Sequence, residues 1–191
     1  MTSKLKQPQR NPSLPEAIKY AIMSNLAGVN TGIVGSVTKY DKDKDLAEIQ
    51  IEVSQLMENG EQLVIPPLFN VPILRERTNG GKSYLSLPIK KGDKGWVMFS
   101  QRTIDNWLVD GKQQDMNNLR MFDMSDAIFS PGIYPSSKTL SENNEDVVLR
   151  HEDTHITLKK DGLLIEDKNG NTFEMSSSGV SINGGNLEVL K

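Results

Sequence analysis

Two short patterns in this sequence combine residue types and spacing that could do chemistry. His151-Glu152-Asp153-Thr154-His155 reads H-E-x-x-H. On a helix, both histidines of such a motif reach one zinc ion while the glutamate activates a water, the arrangement of a small metalloprotease. Asp41-x-Asp43-x-Asp45 opens like a calcium loop, with Glu52 at the twelfth position. Tyr84, Trp96, Phe99 and Trp107 form a third candidate set, the stacking platforms of a single-strand nucleic-acid-binding barrel. Other chemistry is excluded by composition. With no cysteine in 191 residues, there is no thiol nucleophile, thiolate zinc site, iron–sulfur cluster or disulfide. A catalytic histidine would have to be His151 or His155, the only two present.

The context weakens each candidate. Val147-Val148-Leu149-Arg150 and Ile156-Thr157-Leu158 flank the histidine motif with β-formers, and Asp and Thr sit inside it. As one strand, residues 151, 153 and 155 would share a face opposite Ile156 and Leu158, and the histidines would be surface groups. In the aspartate pattern, Leu46 stands where a calcium loop needs glycine and 47–53 alternates like a strand. Residues 41–45 therefore read as a solvated hairpin tip. Alternation assigns most of the aromatic set to a core, and a formal net charge of −3 argues against a chain that neutralises phosphates.

The elements that would hold these residues fall into three stretches. Residues 1–30 carry a polar arm and then Ser13-Leu14-Pro15-Glu16, an S-x-x-E capping box with proline in the first turn. Ile18, Ala21, Ile22 and Leu26 come next at helical spacing up to Gly28, so a short amphipathic helix is expected over about 14–26. Its apolar stripe either packs on its own domain or docks a partner. The N-terminus has no apolar core of a secretory signal, and no run is long enough to span a membrane.

Residues 31–140 read as a small closed barrel with an irregular wrap. Strands are expected at 33–40, 47–53, 63–65, 71–74, 84–87 and 95–99, punctuated by Gly, Pro and Asn. Residues 125–129 are expected as a single helical turn before Pro131-Gly132 in that wrap.

Residues 141–191 form a ribbon of very short β-runs separated by Asp161-Gly162, Asn169-Gly170, Ser178-Gly179 and Gly184-Gly185. One face collects Ile156, Leu158, Leu163, Ile165, Phe173, Met175, Val180, Ile182, Leu187 and Val189. The alternate positions hold Thr, Lys, Glu and Ser, with Leu164 the main exception. A thin ribbon has nothing to lay this face against, and its own apolar burial cannot offset the entropy of ordering its backbone. Copies of itself are the simplest partner, because each supplies the same stripe.

The ordered set Pro66-Pro67, Val71-Pro72, Leu87-Pro88, Gly92-Asp93, Phe99, Asp105, Trp107, Arg120, Ser125-Asp126-Ala127 and Pro131-Gly132, with the β-rich ribbon after it, resembles the central spike, or baseplate assembly protein V, of contractile-tailed phages. The resemblance spans about 30–190. It implies an all-β chain: a short N-terminal helix, an OB-like five-stranded barrel, then a C-terminal ribbon forming an intertwined trimeric β-helix. It implies a homotrimeric, non-catalytic virion protein of the tail baseplate that penetrates the host envelope, without cofactor, metal or nucleic acid. The apolar stripe of the ribbon would be the trimer core. Ile18, Ala21, Ile22 and Leu26 would dock the baseplate hub or tail-tube protein.

Two departures from that family shape the expectation further. The short 136–146 linker leaves no room for the lysozyme that some relatives insert. The chain also lacks the H-x-H of relatives with an iron-bound tip, so a separate PAAR-type tip protein is expected to cap residues 187–190. The zinc protease and the single-strand nucleic-acid-binding barrel remain the alternatives.

Overall fold

The computed structural model describes residues 12–57, 60–115, 118–138, 140 and 145–186. The chain divides into two compact units, Met1–Lys138 and Thr139–Lys191.

The first unit opens with helix α1, Leu14–Ala27. Ser13 starts it: its N–H and its hydroxyl both donate to a Glu16 carboxylate oxygen, at 2.9 and 2.7 Å. None of the helix residues is buried, so the apolar stripe does not pack on its own domain.

Strands β1 (Gly32–Asp41) and β2 (Leu46–Ile51) form the first hairpin. In β2 the alternation is complete, with Ala47, Ile49 and Ile51 inward and Leu46, Glu48 and Gln50 outward. A bulge between Val37 and Lys39 inserts one residue and reverses the facing of the rest of the strand. Tyr40 consequently packs against the core.

The chain then makes a small hairpin, β3 (Gln55–Leu56) with β4 (Gln62–Leu63), and returns as β5 (Leu68–Pro72). The third barrel strand is therefore β5, not the 63–65 run expected from sequence. Strands β6 (Arg77–Thr78) and β7 (Ser83–Tyr84) turn about Asn79–Gly81. Strand β8, Lys94–Phe99, leads to the short helix α2, Asp105–Asp110, and then to β9, Ala127–Pro131.

These strands make one curled five-stranded sheet in the order β5-β2-β1-β8-β9. Its two edges meet: Ile73 bridges Phe129 in parallel, and the Leu74 N–H donates to the Phe129 carbonyl at 2.8 Å. Ile49, Val97 and Phe129 at 0% exposure lie at the centre of the resulting core. The helical turn expected at 125–129 is only partly formed. A 3-10 turn covers Met124–Asp126, and the closing strand begins at Ala127.

The second unit is a single antiparallel meander, β10-β11-β12-β13-β14. The strands are Val147–His151, Thr154–Lys159, Gly162–Glu166, Thr172–Ser176 and Gly179–Ile182. Residues directly opposite each other on paired strands point to one face, so the register decides which side chains meet.

Candidate functional site

In the meander the register assembles two cross-strand rows. One runs Leu149, Ile156, Ile165, Phe173, Ile182, and the other Val147, Leu158, Leu163, Met175, Val180. All eight stripe residues expected from sequence within the described chain thus share one face, joined by Val147 and Leu149. Leu187 and Val189, and with them the expected cap at 187–190, lie outside the described residues.

This face is open. Val180 is 62% exposed, Leu158 52% and Met175 44%. Among the described residues the buried apolar side chains all belong to the barrel unit, and the only buried residue of the meander is Thr157, on the opposite face. That opposite face also carries Arg150, His155, Glu166, Glu174 and Ser181. It is tied by Lys159–Glu174 at 3.9 Å and His155–Glu166 at 3.8 Å. Tight turns hold the rows in register. Gly162 is required because a Cβ there would stand 2.3 Å from the Met175 carbonyl oxygen. At the β12–β13 turn, the Asp167 carboxylate accepts from the backbone N–H groups of Asn169 and Asn171, both at 2.9 Å. Hydrogen bonds from Asn171 and Asn169 lower its pKa to about 2.

The histidine motif does not assemble. Glu152 and Asp153 form the β10–β11 turn, His151 pairs with Thr154, and His155 pairs with Arg150. The two imidazoles therefore lie on opposite faces of a sheet, not one turn apart on a helix. Sequence reasoning placed them on one face because it missed this turn, whose mark is Glu152 at φ 54°. Among the described residues no cluster of three or more His, Asp or Glu side chains could hold a metal.

Residues 42–45 form the expected hairpin turn, exposed at 42–44, but Asp45 is tied back to the domain. The Arg75 guanidinium binds the Asp45 carboxylate at 3.0 Å, the Tyr40 hydroxyl at 2.9 Å and the Leu87 carbonyl at 3.0 Å. Burial opposes the charge on Asp45, but bonds from Arg75 and Tyr40 leave its pKa lowered.

Sequence reasoning also missed a second charged centre. Asp126, at 0% exposure, accepts from Arg120 Nε and Nη2, both at 2.7 Å, and from the Ile104 N–H at 3.1 Å. Arg120 Nη2 also reaches Asp105 at 2.7 Å, which anchors α2 to the start of β9. Of the aromatic set, only Phe99 is core. Trp96, Trp107 and Tyr84 are 38, 51 and 66% exposed, on β8, α2 and β7.

Helix α1 presents a further open surface. Ile18, Ile22 and Leu26 are 52, 54 and 61% exposed, and Leu14 is 75% exposed on the same ridge.

The family described as phage protein Gp138 N-terminal domain matches residues 33–132. The chain belongs to this family. The matched segment is the curled barrel, from β1 to the end of β9, and the protein is a phage structural protein with a virion-associated role. No curated protein matches the chain. The meander and α1 lie outside the family match, so their roles rest on their own geometry.

Proposed function

We propose that this phage protein is the trimeric central spike of a contractile tail baseplate, acting mechanically and without catalysis, cofactor or nucleic acid. The observation that carries the reading is the two-row apolar ladder on a meander with no apolar core of its own. Three copies would turn their ladders inward and leave the Lys159, Glu166 and Glu174 faces outward, an intertwined or prism-like shaft that excludes water from its axis.

The barrel supports the same reading. Its curled sheet, in the order β5-β2-β1-β8-β9 with the parallel Ile73–Phe129 bridge between its edges, suits the OB-like barrel of this reading. In this reading the barrels join the hub at the N-terminal end. The meander points toward the host envelope, with a small tip protein beyond it. Among the described residues no helix is long and apolar enough to cross a membrane. In this reading the shaft itself makes the contact with the envelope, and that contact is transient.

The test is position in the particle. An epitope placed in the exposed Asn79–Gly81 turn should be labelled in electron micrographs at the centre of the baseplate. Label along the tail sheath or on the capsid would contradict the proposal.

A further inference from the structure

The end of the barrel beside α1 is unplugged. A cavity of about 460 Å³ opens there, floored by Ile33, Ile51, Ile65, Phe99 and Met124. Its rim is residues 27–32 on one side and 53–55 on the other. Among the described residues, the only helix between β5 and β8 is the three-residue turn Asn79–Gly81, so the chain between those strands supplies no helix to close this end.

A quarter of the chain is charged, yet none of the residues lining the cavity is. A charged occupant would lose its hydration without gaining a partner. The cavity therefore suits an uncharged occupant, and its floor of aliphatic and aromatic side chains favours an apolar one.

The chain carries such a group next to the hole. Leu14, Ile18, Ile22 and Leu26 recur every fourth residue along α1 and form one uncharged ridge, exposed throughout. A helix of fourteen residues with nothing packed on it is marginal in water, so α1 needs a surface. Its own barrel mouth is a poor candidate. Only residues 28–31 separate α1 from β1, and the first two of these continue the helix end, with Gly28 N–H bound to Asn25 O and Val29 N–H to Leu26 O. In the structure α1 does not fold back over that mouth, and its ridge stays exposed. A short connection of this kind favours exchange with a neighbour, and a ridge and hole on one chain close into a ring under threefold symmetry.

We infer that α1 of each copy seats its ridge of Ile18, Ile22 and Leu26 on the barrel mouth of a second copy and plugs the cavity there. This rests on the trimeric reading. It assigns those three residues to contact between copies and leaves Tyr20, on the other side of α1, to face the hub.

The cysteine-free chain makes the test clean. In the full-length protein, Ile22→Cys and Val53→Cys are combined and oxidised. Covalent dimers and trimers are expected on a non-reducing gel, while each single variant gives no ladder that requires the second site. In parallel, Ile18→Asp with Ile22→Asp should keep the trimer mass yet raise the fluorescence of an apolar naphthalene-sulfonate dye, because the cavity is uncovered.

A trimer that forms no inter-chain bond, and whose dye signal does not change in the aspartate variant, overturns this inference alone. The ridge is then free for the hub. A bond formed only within one chain also overturns it, in favour of closure over the chain's own mouth. If the unmodified protein has the mass of a single chain, the trimeric reading falls and this inference falls with it.

Discussion

Ile165 and Phe173 stand directly opposite each other on β12 and β13, with both side chains on the face of the meander that has no covering layer. In a lone chain that pair spends its apolar surface on water. In a threefold shaft it sits near the middle of the ladder. Ile165→Asp or Phe173→Asp would place a carboxylate at the axis in each copy, at a cost of several kcal/mol per chain. Loss of the trimer in light scattering is expected, together with a lower melting temperature. Glu174→Ala, on the opposite face of the same sheet, should leave both unchanged. An Ile165→Asp protein that stays trimeric with the parent melting temperature would remove the ladder from the axis.

Gly95 is fixed by close approach. A Cβ there would lie 2.2 Å from the Ser130 carbonyl oxygen and 2.6 Å from Phe129 Cζ. Backbone cannot move away without opening the β8–β9 pairing that closes the barrel. Gly95→Ala is expected to destabilise the barrel by about 2–3 kcal/mol, read as a shift in denaturant midpoint. A midpoint within error of the parent would show that the closure is looser than this geometry implies.

Asp126 depends on Arg120. Replacing Arg120 with Met removes the guanidinium from a fully buried carboxylate and leaves it the single backbone bond from the Ile104 N–H. Breaking a buried pair from one side costs about 3–5 kcal/mol. Because Arg120 is itself 29% exposed, the lower end is expected. The double variant Arg120→Met with Asp126→Asn should recover part of the loss. A single variant as stable as the parent would mean that the pair does not anchor α2.

Asp167 gives the meander an acid limit. Its carboxyl is held at about 2, below an ordinary value of 3.8, by its bonds to Asn171 and Asn169. A group lowered by folding contributes stability above its unfolded value and loses it as pH falls through the folded one. The β12–β13 turn should therefore loosen between about pH 4 and pH 2, seen as a titration of the Asn171 amide resonance. Asp167→Asn should abolish that step. An Asn171 amide that does not move in this range would contradict the assignment.

Much of this was legible in particular residues. Ala47, Ile49 and Ile51 alternate with polar neighbours, and the structure buries those three. The ladder was legible for the same reason, because period-two alternation survives any choice of strand partner. Strand β9 was not. Ser125 and Asp126 are turn formers, and Ala127–Pro131 becomes a strand only by pairing with β8 and receiving Phe129 over Gly95. Nor was the aromatic set. Trp96 alternates with Gly95 and Val97, but the register turns Trp96 outward, and no local pattern says which face of a curled sheet is inside. The Arg120–Asp126 and Arg75–Asp45 pairs join residues brought together by the fold, the second across thirty positions of sequence, and spacing carries no record of them.

The most direct measurement is the mass of the intact protein in solution by light scattering at physiological salt. Three times the 21.3 kDa chain mass is the expected result, unchanged on dilution over the accessible concentration range. A mass of one chain, with the ladder face open to solvent, would contradict the spike.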